Sequence, residues 1–271
     1  MDSSFTPQVA QLSPEVRLPF VERGDPSGIP VILLHGFLDS WRSFELILPR
    51  LPDSIHPYAV TQRGHGEASR PDAGYSLVDF AADLRDLMDI LDIERAVLVG
   101  HSMGSAVVRR FAVDHPERAL GLVLIGASAT TRGTPEARAY WDAVMADLTD
   151  PVDEEFVRAA FEQDFAGPIR AEFLDALVKE GVKVPAFVWR AAIEARWKAK
   201  ENLDELRSIA IPTLICWGDR DPRYPRSDQV ELVRLIPGSR LVVYRGAGHG
   251  PHWEQPERFA SDLADFVAEL S

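Results

Sequence analysis

Five short, uninterrupted apolar runs recur along this chain, and amphipathic helical patterns separate most of them. The runs occupy residues 31–34, 96–99, 122–125, 212–217 and 241–244. Strands that are apolar at every position are typical of a parallel sheet whose two faces are both covered. Strand, helix and strand in this order imply right-handed crossovers. The chain is therefore predicted to be α/β, with a mostly parallel, doubly wound sheet.

One long segment breaks this alternation, because no strand pattern occurs between Ala129 and Ala210. It contains helical patterns at about 135–148, 152–165, 168–180 and 185–201, and a proline lies near each start. We expect residues 1–128 and 211–271 to form the core and residues 129–210 to form an inserted, all-helical cap. An apolar substrate pocket is expected beneath the cap. The cap aromatics predicted to line it are Trp141, Phe161, Phe165 and Trp189.

Charge and composition exclude several classes of protein. The chain has 42 acidic and 29 basic residues and therefore a net charge of −13. Because this excess negative charge repels phosphate backbones, nucleic acid is not an expected partner. No basic tract or long apolar run predicts a membrane contact. A single cysteine forbids an internal disulfide, and the histidines lack zinc-site spacing, so no metal is expected. The N-terminus lacks a signal-peptide pattern, which favours a cytoplasmic location.

The strongest chemical signal is the motif Gly100-His101-Ser102-Met103-Gly104, which follows an apolar strand and opens a helix. A sharp strand-to-helix turn holds its middle residue in a strained backbone conformation and projects that side chain above the sheet. The glycines on either side allow the backbone to pass close by. Ser102 is therefore the predicted nucleophile, at the sheet edge where open α/β proteins bind their ligands.

A serine hydroxyl needs a positioned base, and the base needs a carboxylate to fix its tautomer. His249 follows a strand in a loop of small and rigid residues, so it is the predicted base, whereas His252 is interpreted as structural. Two carboxylates follow the strand 212–217. Asp221 lies farther into its loop and is favoured as the acid, and Asp219 remains the alternative.

A tetrahedral intermediate needs two backbone N–H donors for its oxyanion. Met103, directly after the nucleophile, supplies one, and Phe37 in the loop 35–39 is predicted to supply the other. His35 is expected to brace this loop by hydrogen bonding. The glycine-rich residues 62–66, after the apolar run 58–60, are interpreted as a structural turn because no dinucleotide fingerprint accompanies them.

These motifs together resemble those of the α/β-hydrolase superfamily over about residues 16–270. The resemblance is greatest to its capped esterase, lactonase and carbon–carbon-bond hydrolase branch, with enol-lactonase-like proteins as neighbours. Epoxide hydrolases and haloalkane dehalogenases place an aspartate where this chain has Ser102. This chain also has Ser105 where many relatives have a second glycine. The resemblance implies that no metal and no organic cofactor takes part.

The function expected from these residues is serine hydrolysis of a small carboxylic ester or lactone through an acyl-enzyme on Ser102. Asp221, His249 and Ser102 would form the triad. One alternative is a lyase, a carbon–carbon hydrolase or a perhydrolase that uses the same triad on the same fold. A ligand receptor with a hydrolase fold is another. The sequence leaves open the acyl group, the leaving group and the oligomeric state.

Overall fold

The computed structural model describes residues 5–130, 135–198 and 203–270, and within them one eight-stranded sheet forms the centre. The strands are β1 Gln8–Gln11, β2 Arg17–Glu22, β3 Ile29–Leu34, β4 Ile55–Val60, β5 Ala96–His101, β6 Ala119–Ile125, β7 Thr213–Gly218 and β8 Arg240–Tyr244. Their spatial order is β1-β2-β4-β3-β5-β6-β7-β8. Only the β1–β2 and β2–β4 pairs are antiparallel. The predicted α/β fold with a mostly parallel sheet is confirmed.

Ten α-helices connect and cover these strands in the described residues. They are α1 Leu77–Ile90, α2 Met103–Asp114, α3 Pro135–Asp147, α4 Glu154–Glu162, α5 Ala171–Gly181, α6 Ala186–Lys198, α7 Leu203–Arg207, α8 Arg226–Leu235, α9 Pro251–Glu254 and α10 Pro256–Ala268. Ser76 caps α1 through a capping box with Asp79. Short 3₁₀ turns lie at Trp41–Phe44, Leu48–Arg50 and Pro116–Arg118.

Both faces of the sheet are buried, as uninterrupted apolar strands require. In β3, Ile32 and Leu34 join the core beneath α1, α2 and α8, whereas Val31 and Leu33 join the core beneath α10. Alternate side chains of one strand therefore enter different cores, and neither face can be polar.

Three strands carried a weaker sequence signal than the other five. β1 exposes three of its four residues, so it has no apolar run. β2 and β4 each contain a proline, Pro19 and Pro57, which argues against a strand when only the sequence is read. The apolar run 58–60 is the second half of β4. These strands form because their neighbours supply pairing partners that are distant in the sequence.

The described part of the segment between β6 and β7 holds the helices α3 to α7, joined by loops, and no strand. Each of the four predicted helical patterns corresponds to one helix, and α5 ends at Gly181, one residue beyond its pattern. The end of the fourth pattern, together with residues 131–134, lies outside the described residues. Within residues 5–130, 135–198 and 203–270, no helix combines the length and apolarity needed to cross a bilayer. The division into core and cap and the cytoplasmic location stay predictions.

The start of α2 approaches the end of β3 so closely that only glycine fits at position 104. A Cβ atom there would lie 2.2 Å from the carbonyl oxygen of Leu34 and 2.8 Å from that of His35, and both are backbone atoms. A Cβ at Gly100 would lie 2.3 Å from the carbonyl oxygen of Gly104. Because backbone atoms cannot rotate away, these two glycines set the spacing between helix and sheet.

We expect Gly104→Ala to lower the free energy of unfolding by about 2 kcal/mol, because the added methyl group forces helix and strand apart. Urea denaturation followed by circular dichroism measures the change. Gly167→Ala is the matched control, since the nearest atom to its new Cβ is a side-chain oxygen 3.7 Å away. Equal stability of Gly104→Ala and the control would contradict the close approach.

Candidate active site

Ser102 lies at the turn from β5 into α2 in a strained backbone conformation. Its φ is 49° and its ψ is −108°, in a region that residues other than glycine rarely occupy. The Ser102 N–H donates to the carbonyl oxygen of Ile125 at 2.9 Å. Ser105 donates to the Ser102 carbonyl oxygen from its N–H at 3.1 Å and from its hydroxyl at 2.6 Å. Ser105, which occupies a position where many relatives have glycine, therefore holds the strand-to-helix turn at Ser102, the elbow, in place.

His249 and Asp221 meet on neighbouring loops after β8 and β7. The imidazole Nδ1 lies 2.9 Å from Asp221 Oδ2, and the side chains are only 4% and 0% exposed. The other oxygen, Oδ1, accepts from the N–H groups of Arg223 at 2.7 Å and Tyr224 at 3.1 Å. A carboxylate accepts from Nδ1–H, so the lone pair of His249 is on Nε2.

Of the two candidate acids, Asp221 is the one that contacts the imidazole. Asp219 is exposed, and its carboxylate accepts instead from the N–H of Gly246 at 2.6 Å. That bond ties the end of β7 to the loop after β8. Asp219 therefore supports the loop that carries His249 without contacting its ring.

Ser102 and His249 line one cavity of about 560 Å³. Within the described residues, no hydrogen bond joins the Ser102 hydroxyl to the imidazole. Catalytic hydrogen bonds of this kind are often long before substrate binds. The backbone around the two residues is nevertheless tightly packed, because a Cβ on Gly126 would lie 2.9 Å from the His249 ring.

Two of the four predicted cap aromatics line this cavity, and two do not. Trp141 and Phe161 are in the wall, together with Ile193 and Trp197 of α6. Phe165 and Trp189 are not among the residues that line the cavity. Core packing holds both of them elsewhere, and sequence alone cannot distinguish core aromatics from pocket aromatics.

Contacts with other side chains hold Trp189 and Phe165 outside the cavity wall. Trp189 is fully buried, its Nε1–H donates to the carbonyl oxygen of Val184 at 3.1 Å, and its ring packs edge-on against Phe37. The ring of Phe165 packs against Trp253, with ring centroids 5.4 Å apart. Both rings support residues of the wall without forming it.

The two predicted oxyanion donors flank the nucleophile. Met103 is the first residue of α2, so its N–H has no acceptor within the helix. Phe37 lines the cavity from the loop after β3. A Cβ on Gly36 would lie 2.8 Å from the His101 ring and 3.3 Å from the Ser102 Cβ, so glycine is needed for this close approach. Leu38 continues the turn with a positive φ of 70°.

His35 holds the oxyanion loop against the next loop. Its Nε2 accepts from the N–H of Gln62 at 3.0 Å, and its Nδ1 donates to the carbonyl oxygen of Gly36 at 2.7 Å. Complete burial holds the pKa of His35 well below its usual value. The ring is therefore neutral, and both of its nitrogens are occupied by backbone groups.

Two further buried histidines, His101 and His252, lie near His249. The ring of His101 lies 4.9 Å from that of His249 and 4.7 Å from that of His252. Burial lowers the pKa of both His101 and His252. Nε2 of His252 lies 3.2 Å from the Ser43 hydroxyl, away from the nucleophile, which agrees with a structural role. The imidazole of His249 thus packs against the ring of His101, which in turn packs against His252.

Sequence reasoning missed several polar residues of the wall, among them Asp39, Arg109 and Asp228. Asp39 is 1% exposed, and its Oδ2 has no hydrogen-bond partner among the described residues. Burial raises its pKa to about 7, although Ser43 and the Ser40 N–H partly offset this. In the sequence, only the position of Asp39, two residues after the predicted oxyanion donor Phe37, indicated that this side chain lies near the site. Within the described chain, no group of His, Cys, Asp and Glu side chains is arranged for a metal ion.

Comparison with known proteins agrees with this architecture. Residues 29–256 match the family model described as the alpha/beta hydrolase fold. The chain belongs to the α/β hydrolase family. The predicted resemblance is thereby confirmed.

Individual relatives extend the similarity to nearly the whole chain. A putative non-heme chloroperoxidase from Synechocystis sp. is 30% identical over 89% of this chain and 92% of its own length. The esterase RhEst1 from Rhodococcus sp. is 27% identical, with a TM-score of 0.84 over 99% of this chain and all of that chain. An esterase from Exiguobacterium antarcticum is 23% identical, with a TM-score of 0.87 over 97% of this chain and all of that chain.

The buried carboxyl group of Asp39 makes stability depend on pH. The folded protein keeps this proton up to about pH 7, whereas the unfolded chain releases it near pH 3.8. The contribution of Asp39 to stability therefore falls as the pH rises through this interval and is constant above it. Asparagine has no proton to release. We expect the stability of Asp39→Asn relative to wild type to increase between pH 4 and pH 7.

Urea denaturation at pH 4.5, 6 and 8 measures this difference. Asp53→Asn, at an exposed position, is the control and should show no such trend. A difference between Asp39→Asn and wild type that stays constant across these pH values would contradict the raised pKa.

Proposed function

We propose that this α/β hydrolase cleaves a small carboxylic ester or lactone through an acyl-enzyme on Ser102. The observation that carries the proposal is that the strained Ser102 and His249 line one cavity, while Asp221 contacts the His249 imidazole at Nδ1. A nucleophile, a base with its free lone pair on Nε2, and a buried carboxylate are the three groups that acyl transfer needs. The esterase relatives support the same class of bond.

In the first half of the reaction, Nε2 of His249 accepts the proton of the Ser102 hydroxyl as the oxygen attacks the substrate carbonyl carbon. The resulting oxyanion accepts hydrogen bonds from the N–H groups of Phe37 and Met103. Asp221 accepts from Nδ1–H and stabilises the imidazolium. His249 then gives the proton to the departing alkoxide, which leaves as an alcohol.

In the second half, water attacks the acyl group while His249 again accepts a proton. Collapse of the second tetrahedral intermediate returns that proton to Ser102 and releases a carboxylic acid. A lactone passes through the same steps, but its alcohol and acid remain in one molecule.

The helical insertion acts as a lid in this proposal. Trp141, Phe161 and Ile193 come from the insertion and form part of the cavity wall. An apolar wall excludes bulk water, so the oxyanion contacts become stronger. The cavity of about 560 Å³ fits a small substrate.

Ser102→Ala should abolish hydrolysis of p-nitrophenyl butyrate, because it removes the hydroxyl group that attacks the substrate carbonyl carbon. Initial rates of p-nitrophenolate release measure this, and the rate should fall by about 10⁴-fold or more. Ser208→Ala is the control, since that exposed serine lies outside the cavity wall and its hydroxyl donates to the carbonyl oxygen of Glu205. Equal rates of p-nitrophenolate release by wild type and Ser102→Ala would contradict the proposal.

Substituting each loop aspartate in turn distinguishes the two candidate acids. Asp221→Asn should lower kcat by about 10⁴-fold, because an amide no longer favours the Nδ1–H tautomer. Asp219→Asn should lower it less than tenfold, since that carboxylate accepts from the N–H of Gly246 and does not contact the imidazole. A larger loss in Asp219→Asn than in Asp221→Asn would reverse the assignment.

The relative named as a putative non-heme chloroperoxidase favours one second candidate, a perhydrolase. There, hydrogen peroxide takes the place of water, and the acyl-enzyme yields a peracid. Assays with and without peroxide separate the two reactions. Ester turnover without peroxide supports the hydrolase, and product formation only with peroxide supports the perhydrolase. Tight ligand binding without any turnover would instead indicate a receptor.

A further inference from the structure

Glu254 ends the short helix α9, five residues after His249, and its half-buried carboxylate bonds only to backbone groups within the described residues. Oε1 accepts from the N–H of Gly248 at 2.6 Å. Oε2 accepts from the N–H groups of Ala166 at 3.1 Å and Gly167 at 3.0 Å. One oxygen therefore holds the loop of the general base, and the other holds the turn that follows α4 in the helical insertion.

The same two segments contact each other directly. The His249 N–H donates to the carbonyl oxygen of Asp164 at 2.7 Å. A Cβ on Gly248 would lie 2.2 Å from that oxygen and 3.0 Å from Glu254 Oε1, so the loop and the turn leave no space between them. The backbone of His249 is thus fixed by the helical insertion and not by the core alone.

The turn also reaches the loop of the acid. The Asp164 carboxylate pairs with Arg223 at 2.5 Å, and the N–H of Arg223 donates to Asp221 at 2.7 Å. The Arg223 guanidinium donates in addition to the carbonyl oxygen of Ala160 at 3.1 Å. Residues 160–167 of the insertion therefore contact the segments on both sides of the His249–Asp221 pair.

The negative charge of Glu254 makes its hydrogen bonds to the three N–H groups stronger than hydrogen bonds between two backbone groups. Hydrogen bonds from N–H groups to an ionised carboxylate are stronger than those to a neutral acceptor. Burial raises the pKa of Glu254, and the three N–H groups act in the opposite direction. A glutamine at position 254 would offer only one carbonyl oxygen. The N–H group of Gly248 and the N–H groups of Ala166 and Gly167 approach the present carboxylate at different oxygens, so one set would lose its acceptor.

We propose that Glu254 is a positioning residue for His249. Its carboxylate clamps the loop of residues 246–250 to the turn of residues 163–167, so that docking of the insertion orients the general base. The proposal rests on the proposed function in that it treats His249 as the base. It makes the helical insertion part of the machinery that aligns the triad as well as a wall of the cavity.

Glu254→Gln is the isosteric test, because its amide NH₂ must face one of the two sets of N–H donors. We expect kcat for p-nitrophenyl butyrate, per active serine titrated with a fluorophosphonate, to fall about 10- to 100-fold. KM should change less than threefold, since Glu254 is not in the cavity wall. Glu257→Gln is the matched control. That carboxylate is exposed on the next helix and pairs with Arg50, so kcat should stay the same.

A merely structural role would lower the melting temperature and the titrated fraction of active serine but leave kcat per active serine unchanged. That result would overturn the proposal. If Glu254→Gln does not fold, Glu254→Asp takes its place. Aspartate keeps the charge but is one methylene too short to reach both segments, so the same loss of kcat is expected.

Amide hydrogen exchange tests the clamp without any substrate. The His249 N–H bonds to Asp164 and not to Glu254, so its exchange should accelerate in Glu254→Gln only if the clamp holds the two segments together. The low-field proton resonance of His249 Nδ1–H should also shift. Both signals unchanged from wild type would refute the proposal. Because neither needs turnover, these signals remain decisive even if wild type hydrolyses no ester and the proposed function fails.

Discussion

The close approach of α2 to the ends of β3 and β5 is the constraint on which the site depends. Gly100 and Gly104 remove the side chains that would separate the helix from the sheet, and a Cβ at either position would meet backbone atoms at less than 2.5 Å. This spacing forces Ser102 into a positive φ and leaves its side chain above the sheet edge. It also places the free N–H at the start of the helix beside that side chain. Strain of this kind persists only where the surrounding packing over-determines it.

The remaining groups reach this point from loops at the same sheet edge. Parallel strands bring their carboxyl ends to one side, so the loops after β3, β5, β7 and β8 converge although they lie far apart in sequence. Each loop is then fixed by its own hydrogen bonds. His35 fixes the loop of Phe37, the N–H groups of Arg223 and Tyr224 fix Asp221, and Glu254 fixes the loop of His249. Preorganised groups of this kind need no rearrangement as charge develops.

Prediction from sequence succeeded where the signal is local and failed where it depends on distant partners. The five apolar strands, the cap of α1 by Ser76 and the helical segment between β6 and β7 all follow from spacing and residue type. β2 and β4 carry prolines, and their pairing partners are remote, so local patterns underestimated them. The cap aromatics show the same limit. Trp141 reached the cavity wall, whereas Trp189 became core, although nothing in the local sequence distinguishes them.

The sequence by itself determined the fold class, the elbow at Ser102 and the order in which the three candidate catalytic residues occur along the chain. These features depend on short-range steric rules for glycine, apolar periodicity and helix starts, which act within a few residues. Only the tertiary structure decided that Asp221 and not Asp219 contacts His249, that Asp39 is buried in the cavity wall, and that Glu254 joins the base loop to the insertion. Those outcomes depend on distances of a few ångströms between segments that are far apart in sequence. Such distances are set by the packing of the whole chain.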